Sequence, residues 1–363
     1  MTYVPAPRKG KKVMEISVNS TRDVARASAI RLARNGDRRP MVLMLGLAGM
    51  LLLAEPSRAD DIASYPSKTV RFIVPSGAGG TTDIVARTVA QALSQSLGAT
   101  FIVEQKVGGN TNIGSAYVSK ATPDGYTFLV NTDTLTSNAT MYKNPGYDVI
   151  SGFAPVTMLT KASGAIVVRK DLGVSTLDEF VALARQKGKA LSVASTGTGT
   201  VSHLTGVMFR QRMNLPEWTD VPYQGTAKAI TDLLGGHVDA IVAMIANFIS
   251  QTESGEMKLI AVTTKDRSPA AASVPTIAET TALKDFDVSN WTGLFAPPGT
   301  PRPIVEKLAS EIARVLKDPA TAQQLSVLGL QPAAEGPEAL ARNVRGNVVL
   351  WRGVVERSNL QRN

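Results

Sequence analysis

Residues 70–93, VRFIVPSGAGGTTDIVARTVAQAL, run an apolar strand pattern into a glycine turn and then into an amphipathic helix. Val85, Val89, Leu93 and Leu97 share one helix face, Thr81 or Thr82 is placed to cap its start, and Gly98 to end it. The turn fits neither common nucleotide pattern. A phosphate-gripping P-loop needs a lysine after its second glycine, and this turn has none. The dinucleotide fingerprint G-x-G-x-x-G finds Gly77 and Gly79 in place but Thr82 at the third position. What remains is a glycine-softened loop that aims backbone N–H groups from a helix start, a general arrangement for an anion.

The same strand–loop–helix reading recurs. LSVASTGTGTVSHLTGVMF (191–209), VPYQGTAKAITDLL (221–234) and KVGGNTNIGSAYV (106–118) each place glycine and hydroxyl residues before a helix. Strand patterns are read at 69–74, 101–104, 126–130, 165–168, 191–194, 238–242, 259–262 and 293–295. Helical patterns fall at 83–97, 111–121, 176–186, 201–213, 226–234, 303–315, 319–328 and 337–356. This alternation is the signature of an α/β protein with mostly parallel sheets, in which ligands sit outside the carboxyl ends of the strands. Several loops can then converge on one cleft. Each of them also has an ordinary reading as turn and capping chemistry.

The chain of 363 residues carries 39 Lys+Arg against 30 Asp+Glu, a net charge of +9. That charge is concentrated at one end. Residues 1–59 hold 11 Lys+Arg and 4 Asp+Glu, leaving 28 and 26 for the remainder, or +2. Without basic blocks the remainder gives no reason to expect a nucleic-acid partner. Residues 41–54, MVLMLGLAGMLLLA, follow Arg38-Arg39 and precede a small-residue ending at Ser57 and Ala59. They read as a secretory signal with cleavage near Ala59, and the run is shorter than the roughly 20 residues of a membrane-spanning helix. Sec and twin-arginine export both stay open. The absence of cysteine excludes disulfides and thiolate metal sites.

Catalytic chemistry finds little material. The two histidines, His203 and His237, are too far apart in sequence to suggest a metal site, and no G-x-S-x-G elbow occurs. A hydrolase would have to pair His203 with Ser195 or Ser202. His203 otherwise reads as a half-buried residue on the face of Leu204, Val207 and Met208. Asp83 reads either as a carboxylate favoured at a helix start or as a partner for a ligand ammonium or hydroxyl.

The segments YPSKTVRFIVPSGAGGTTDIVAR, NIGSAYVSKATPDGYTFL, FAPVTML, STGTGTVSHL, VPYQGTAKAITDLLGGHVDA, LIAVTTKDRSPAAASVPTIAE and WTGLFAPPGTPRPIVEKL occur in an order that resembles the Bug family, the solute-binding receptors of tripartite tricarboxylate transporters. The resemblance covers about residues 64–355. It implies an exported, periplasmic, two-lobed type II binding-protein fold, with a small organic acid enclosed between lobes spanning 64–164 plus 286–363 and 165–285. It also implies a monomer without cofactor or metal, delivering its ligand to separate integral membrane components, with a ligand-sensing module of the same fold as the alternative role.

By this resemblance the first ligand loop is Ser76, Gly77, Ala78, Gly79 and Gly80, and Thr132, Asp133 and Thr134 form a second contact on the same lobe. Ser195, Thr196, Gly197 and Thr198, with His203 behind them, belong to the other lobe, as do Tyr223, Gln224 and Gly225. Ala243 and Met244 stand where many members carry a polar pair, so the cleft is expected to be less polar there and to favour a smaller or aromatic carboxylate over citrate. Asn247 is expected either to restore a polar contact or to cap a helix.

Overall fold

In a computed structural model the described residues are 64–358 and 360. The export signal and its cleavage site lie outside them. Ten strands join into one mixed sheet in the order β2-β1-β3-β9-β4-β7-β5-β6, with β10 and β8 each pairing with β4. The strands are β1 (Val70–Val74), β2 (Phe101–Gln105), β3 (Thr127–Thr132), β4 (Ala154–Arg169), β5 (Ser192–Ser195), β6 (Thr219–Pro222), β7 (Ala240–Met244), β8 (Met257–Val262), β9 (Ser289–Ala296) and β10 (Gln331–Glu335). In chain order the helices are α1 (Thr81–Leu97), α2 (Asn112–Ser119), α3 (Thr134–Met141), α4 (Leu177–Lys187), α5 (Val201–Arg212), α6 (Thr226–Leu234), α7 (Ile249–Glu253), α8 (Ile277–Thr280), α9 (Arg302–Leu316), α10 (Pro319–Ser326) and α11 (Pro337–Glu356).

Parallel pairing is confined to the two flanks, β2-β1-β3 and β7-β5-β6. All antiparallel pairs involve β4 or β9. β4 explains this. Its first part, through Ser163, pairs with β9 and β10, and from Gly164 onward it pairs with β7 and β8. One strand therefore belongs to both halves of the molecule.

Side-chain alternation in the strands sets the layers. In β1, Val70, Phe72 and Val74 pack with Val85, Val89 and Leu93 of α1 and with Val305, Leu308 and Ile312 of α9, while Ile73 faces the other cluster with Leu129, Trp291 and Phe295. In β4, Ile166 and Val168 join α4 and α5, whereas Ala165 and Val167 join Ala229 and Leu233 of α6. α1 ends at Gly98 in the left-handed conformation, as the sequence suggests, but Thr81 and Thr82 do not cap it. Its N-cap is Gly80, and no side chain of that residue is available to bond the first turn.

α11 is shared between the halves. Leu340, Val344 and Val348 pack in the cluster of Ile73 and Phe295, and Trp351, Val354 and Val355 pack with Ile166, Val193 and Phe209. One amphipathic helix thus packs into two cores. Trp351 is fully buried and Val349 is 70% exposed. Trp351→Ala is expected to cost about 3–5 kcal/mol, the scale of a large aromatic lost from a core. Val349→Ala should stay within about 0.5 kcal/mol. Denaturant melts of both variants check this, and equal effects would contradict the shared-core role.

Candidate functional site

Two loops at the carboxyl ends of parallel strands are built alike. Following β1, Ser76-Gly77-Ala78-Gly79-Gly80 leads into α1; following β5, Thr196-Gly197-Thr198-Gly199-Thr200 leads into α5. Gly79 and Gly199 have φ of 79° and 74°, a region that a side chain disfavours. The next residues, Gly80 and Thr200, are N-caps with nearly equal backbone angles, φ −73°, ψ 161° and φ −69°, ψ 161°. In each loop the N–H of the left-handed glycine donates to a side chain four residues on. Gly79 donates to Asp83 Oδ2 at 2.9 Å, and Gly199 to His203 Nδ1 at 3.1 Å. Both acceptors are buried, in the first turn of the following helix.

These bonds tie the two acceptors to their own loops. The Asp83 carboxylate also accepts from Arg87 Nε at 3.0 and 3.1 Å and from Gln105 Nε2 at 2.7 Å. Burial works against its charge, but the bonds from Arg87, Gly79 and Gln105 hold its carboxyl below the usual carboxylate range. Both of its oxygens are thus engaged by its own loop and by neighbouring side chains. His203 Nδ1 is likewise engaged, and Nε2 lies 3.9 Å from Asp220 Oδ2. Ser202 Oγ accepts from Thr196 N–H at 3.1 Å and donates to the Val242 carbonyl. The Ser202–His203 pairing that a hydrolase would need is therefore not assembled, and among the described residues Ser195 Oγ has no hydrogen-bond partner, His203 included.

What the loops leave open is polar and neutral. Ser76 Oγ and Ser195 Oγ are both buried without a partner among the described residues. An unsatisfied buried hydroxyl costs about 1–3 kcal/mol, and one such group stands at the end of β1 and another at the end of β5. Gly77, Ala78, Gly79 and Gly80 are exposed, as is Thr198, while Thr196 Oγ1 meets Thr200 Oγ1 at 3.3 Å. Tyr223 N–H donates to the Ser195 carbonyl at 2.9 Å, which brings the β6 end beside the β5 loop. Gln224 and Gly225 are exposed there. The Tyr223 hydroxyl turns to Asp232 Oδ2 at 2.8 Å, and burial together with that carboxylate pushes it up to about 12.

At the end of β3, Asp133 is buried and accepts from Asn290 Nδ2 at 2.8 Å, while Thr132 and Thr134 are half-buried. Asn290 lies at the start of β9, opposite Ala162 of β4. The sequence reading missed Asn290, for nothing local ties it to a residue 157 positions away. It also missed Asn138 of α3, whose Nδ2 donates to the Asn110 carbonyl at 2.5 Å and to Asn112 Oδ1 at 2.9 Å, fastening the 108–112 loop. Asn247 is half-buried and donates to the Met244 carbonyl at 3.2 Å; the helix after it is capped by Phe248, so Asn247 is not an N-cap. Ala243 is buried in the core, and Met244 is half-buried against the first-half cluster, so the end of β7 is apolar.

A hollow of about 600 Å³, lined by Lys170, Met257, Lys258 and Val274 among others, contains no residue of the glycine loops. It lies beside the first residues of β8, away from the carboxyl ends of β1, β3 and β5, where this fold class places ligands.

Residues 85–360 match the family described as the tripartite tricarboxylate transporter family receptor, TctC. Among solved structures, the periplasmic binding protein BugD is 34% identical, with a TM-score of 0.70 over 82% of this chain and 100% of its own. MatC of Rhodopseudomonas palustris, solved with bound malate, is 32% identical with a TM-score of 0.68 over 80% and 100%. An R. palustris protein solved with adipate is 31% identical with a TM-score of 0.71 over 80% and 97%.

Burial pushes the Asp133 carboxyl up to about 7, although the Asn290 and backbone hydrogen bonds oppose the shift. A carboxyl raised in the folded state binds its proton more tightly there than in the unfolded chain. Stability then falls as pH rises from about 4 to about 7 and is level above. Asp133→Asn removes that penalty. It is expected to raise stability by roughly 2–4 kcal/mol at about pH 8, with the gain fading toward about pH 4. Urea melts across this range test it, and a gain independent of pH would contradict the assignment.

Proposed function

Because the chain belongs to the tripartite tricarboxylate transporter receptor family, we propose that it is a solute-binding receptor whose two glycine loops hold a small organic anion between the halves of the molecule. The observation that carries this reading is the pair of buried hydroxyls without a partner among the described residues, Ser76 Oγ on the first loop and Ser195 Oγ at the strand end that enters the second. Neither loop contains Lys or Arg. The ligand's charge is therefore met by neutral donors, namely hydroxyls, first-turn N–H groups and bridging water. Hydrogen bonds to a charged acceptor contribute roughly 1.5–3 kcal/mol each, so three or four suffice for a carboxylate.

Ligand recognition works by differential binding. A state in which both loops reach the ligand gains contacts that an open state lacks, so ligand shifts the equilibrium toward closure about β4 and β9. The apolar end of β7, with Ala243 buried and Met244 beside it, favours a ligand with a hydrocarbon body over one polar all round. Malate in MatC and adipate in the R. palustris protein make dicarboxylates the first class to try. The receptor acts in the periplasm as a monomer, after cleavage near Ala59, and passes its ligand to separate membrane components. No cofactor and no catalytic step enter this reading. Among the described residues no helix is long and apolar enough to cross a membrane.

A thermal-shift titration with mono-, di- and tricarboxylates tests it. A ligand at about 100 times its dissociation constant should stabilise the protein by about 2.7 kcal/mol. Gly79→Val should abolish the shift, because a branched side chain disfavours φ of 79° and covers an exposed loop. Gly80→Val should be milder: its φ is ordinary, although a Cβ there would lie 3.3 Å from the Gly77 carbonyl oxygen. A shift with nucleotides and none with carboxylates would overturn the reading.

A further inference from the structure

The two loops share a backbone template but not an acceptor. Asp83 accepts the Gly79 N–H as a carboxylate that Arg87 and Gln105 keep charged. His203 accepts the Gly199 N–H through an unprotonated Nδ1, and an imidazole that takes a second proton has no acceptor left. Two N–H groups would then face each other across the 3.1 Å that now separates Gly199 N from Nδ1. Asp220 of β6, 3.9 Å from Nε2, is the charged group facing the ring among the described residues. It is held below the usual carboxylate range: burial works against its charge, and the His203 and Trp218 side chains outweigh it. Arg210, further along α5, reaches Glu217 and adds its charge near Asp220. A carboxylate thus stands ready for the positive charge that a second proton brings to the ring, while the loop gives up its fastening.

The rest of the loop is tied by Thr200, whose Oγ1 donates to the Gly197 carbonyl at 2.8 Å, and by Thr196 N–H to Ser202 Oγ, but among the described residues the Gly199 N–H donates to His203 alone. The Gly199 φ of 74° is one that glycine adopts freely and a side chain would not, and a Cβ there would lie 2.8 Å from Met141 Cγ at the end of α3.

We propose that His203 is the positioning residue of the second ligand loop, and that its protonation unfastens Gly199, so that the receptor holds its anion at neutral pH and lets it go on acidification. The first loop, fastened by Asp83, does not respond. This rests on the reading of the cleft as an organic-anion site.

The test compares wild type with His203→Asn and His203→Gln by calorimetry, using adipate and malate as probes at about pH 8 and about pH 5.5. Asn places its Oδ1 where Nδ1 stands and accepts at either pH; Gln reaches toward Asp220 instead. At the higher pH, H203N should bind within about twofold of wild type and H203Q roughly three- to tenfold more weakly, the scale of one net hydrogen bond. On acidification wild type should lose a further three- to tenfold or so relative to H203N. Ligand protonation and Asp133 act on both proteins, so the ratio isolates His203. Equal weakening in H203N and H203Q, or a pH-independent ratio, would overturn the proposal. If wild type binds neither probe, the functional reading is at fault, and hydrogen exchange of the Gly199 amide in the ligand-free protein still decides the inference. Protection in wild type that is lost at the lower pH beyond the intrinsic rate change supports it; protection that persists overturns it.

Discussion

β4 exchanges its neighbours between Ser163 and Gly164, and the remaining architecture follows from that exchange. Before that point its edges are covered by β9 and β10, and after it by β7 and β8. A single continuous strand cannot be in two parallel repeats at once, so it runs antiparallel to its neighbours in both halves and leaves the parallel flanks to βα units. The flanks then point their strand ends, each with a helix start, at the region where ligands bind in such sheets. α11 repeats the device at the level of the core, with Leu340, Val344 and Val348 in one cluster and Trp351, Val354 and Val355 in another. The closure proposed for the receptor would have to bend β4 and rock this helix.

The site solves an electrostatic problem without a cation in its loops. A buried Arg or Lys would have to be desolvated and then matched by the ligand, at a cost that often exceeds the gain. Neutral donors avoid that penalty but must be preorganised. The left-handed glycine with its N–H fixed by a side chain in the next helical turn supplies the preorganisation. It is a capping interaction shifted one residue outward from the usual capping box. Two independent loops have arrived at the same geometry with different acceptors, so geometry, not a particular side chain, is what the loop requires.

Much of this was legible in the letters. The stretch from Val70 to Leu97 declares its strand, turn and helix because alternation and helical spacing are local signals, and the glycine loops declare themselves by repetition. The first part of β4, APVTMLTKASG, was not read as a strand. It mixes hydroxyls, Lys161 and glycine, and only β9 and β10 make it extended. α3, TLTSNATM, lacks an apolar stripe and is held instead by Asn138 and by buried hydroxyls bonding to its own turns. β10, QPAAE, contains Ala334 at φ 47° and an irregular register against β4, so no propensity announces it. Within the proposed site, the letters already place the glycine loops between a strand and a helix. The tasks of Asp83 and His203 were not legible, since an acceptor four residues on cannot be told from a ligand contact without the Gly79 and Gly199 amides in view.

The central claim is that one anion is held by both glycine loops through neutral donors. A crystal structure grown with adipate or malate tests it most directly. The expected result is a carboxylate between the halves, within hydrogen-bond distance of the Ser76 and Ser195 loops directly or through one water, with no Lys or Arg side chain on it. A ligand seated instead in the Lys170–Lys258 hollow, or clamped by a guanidinium between the halves, would contradict the account.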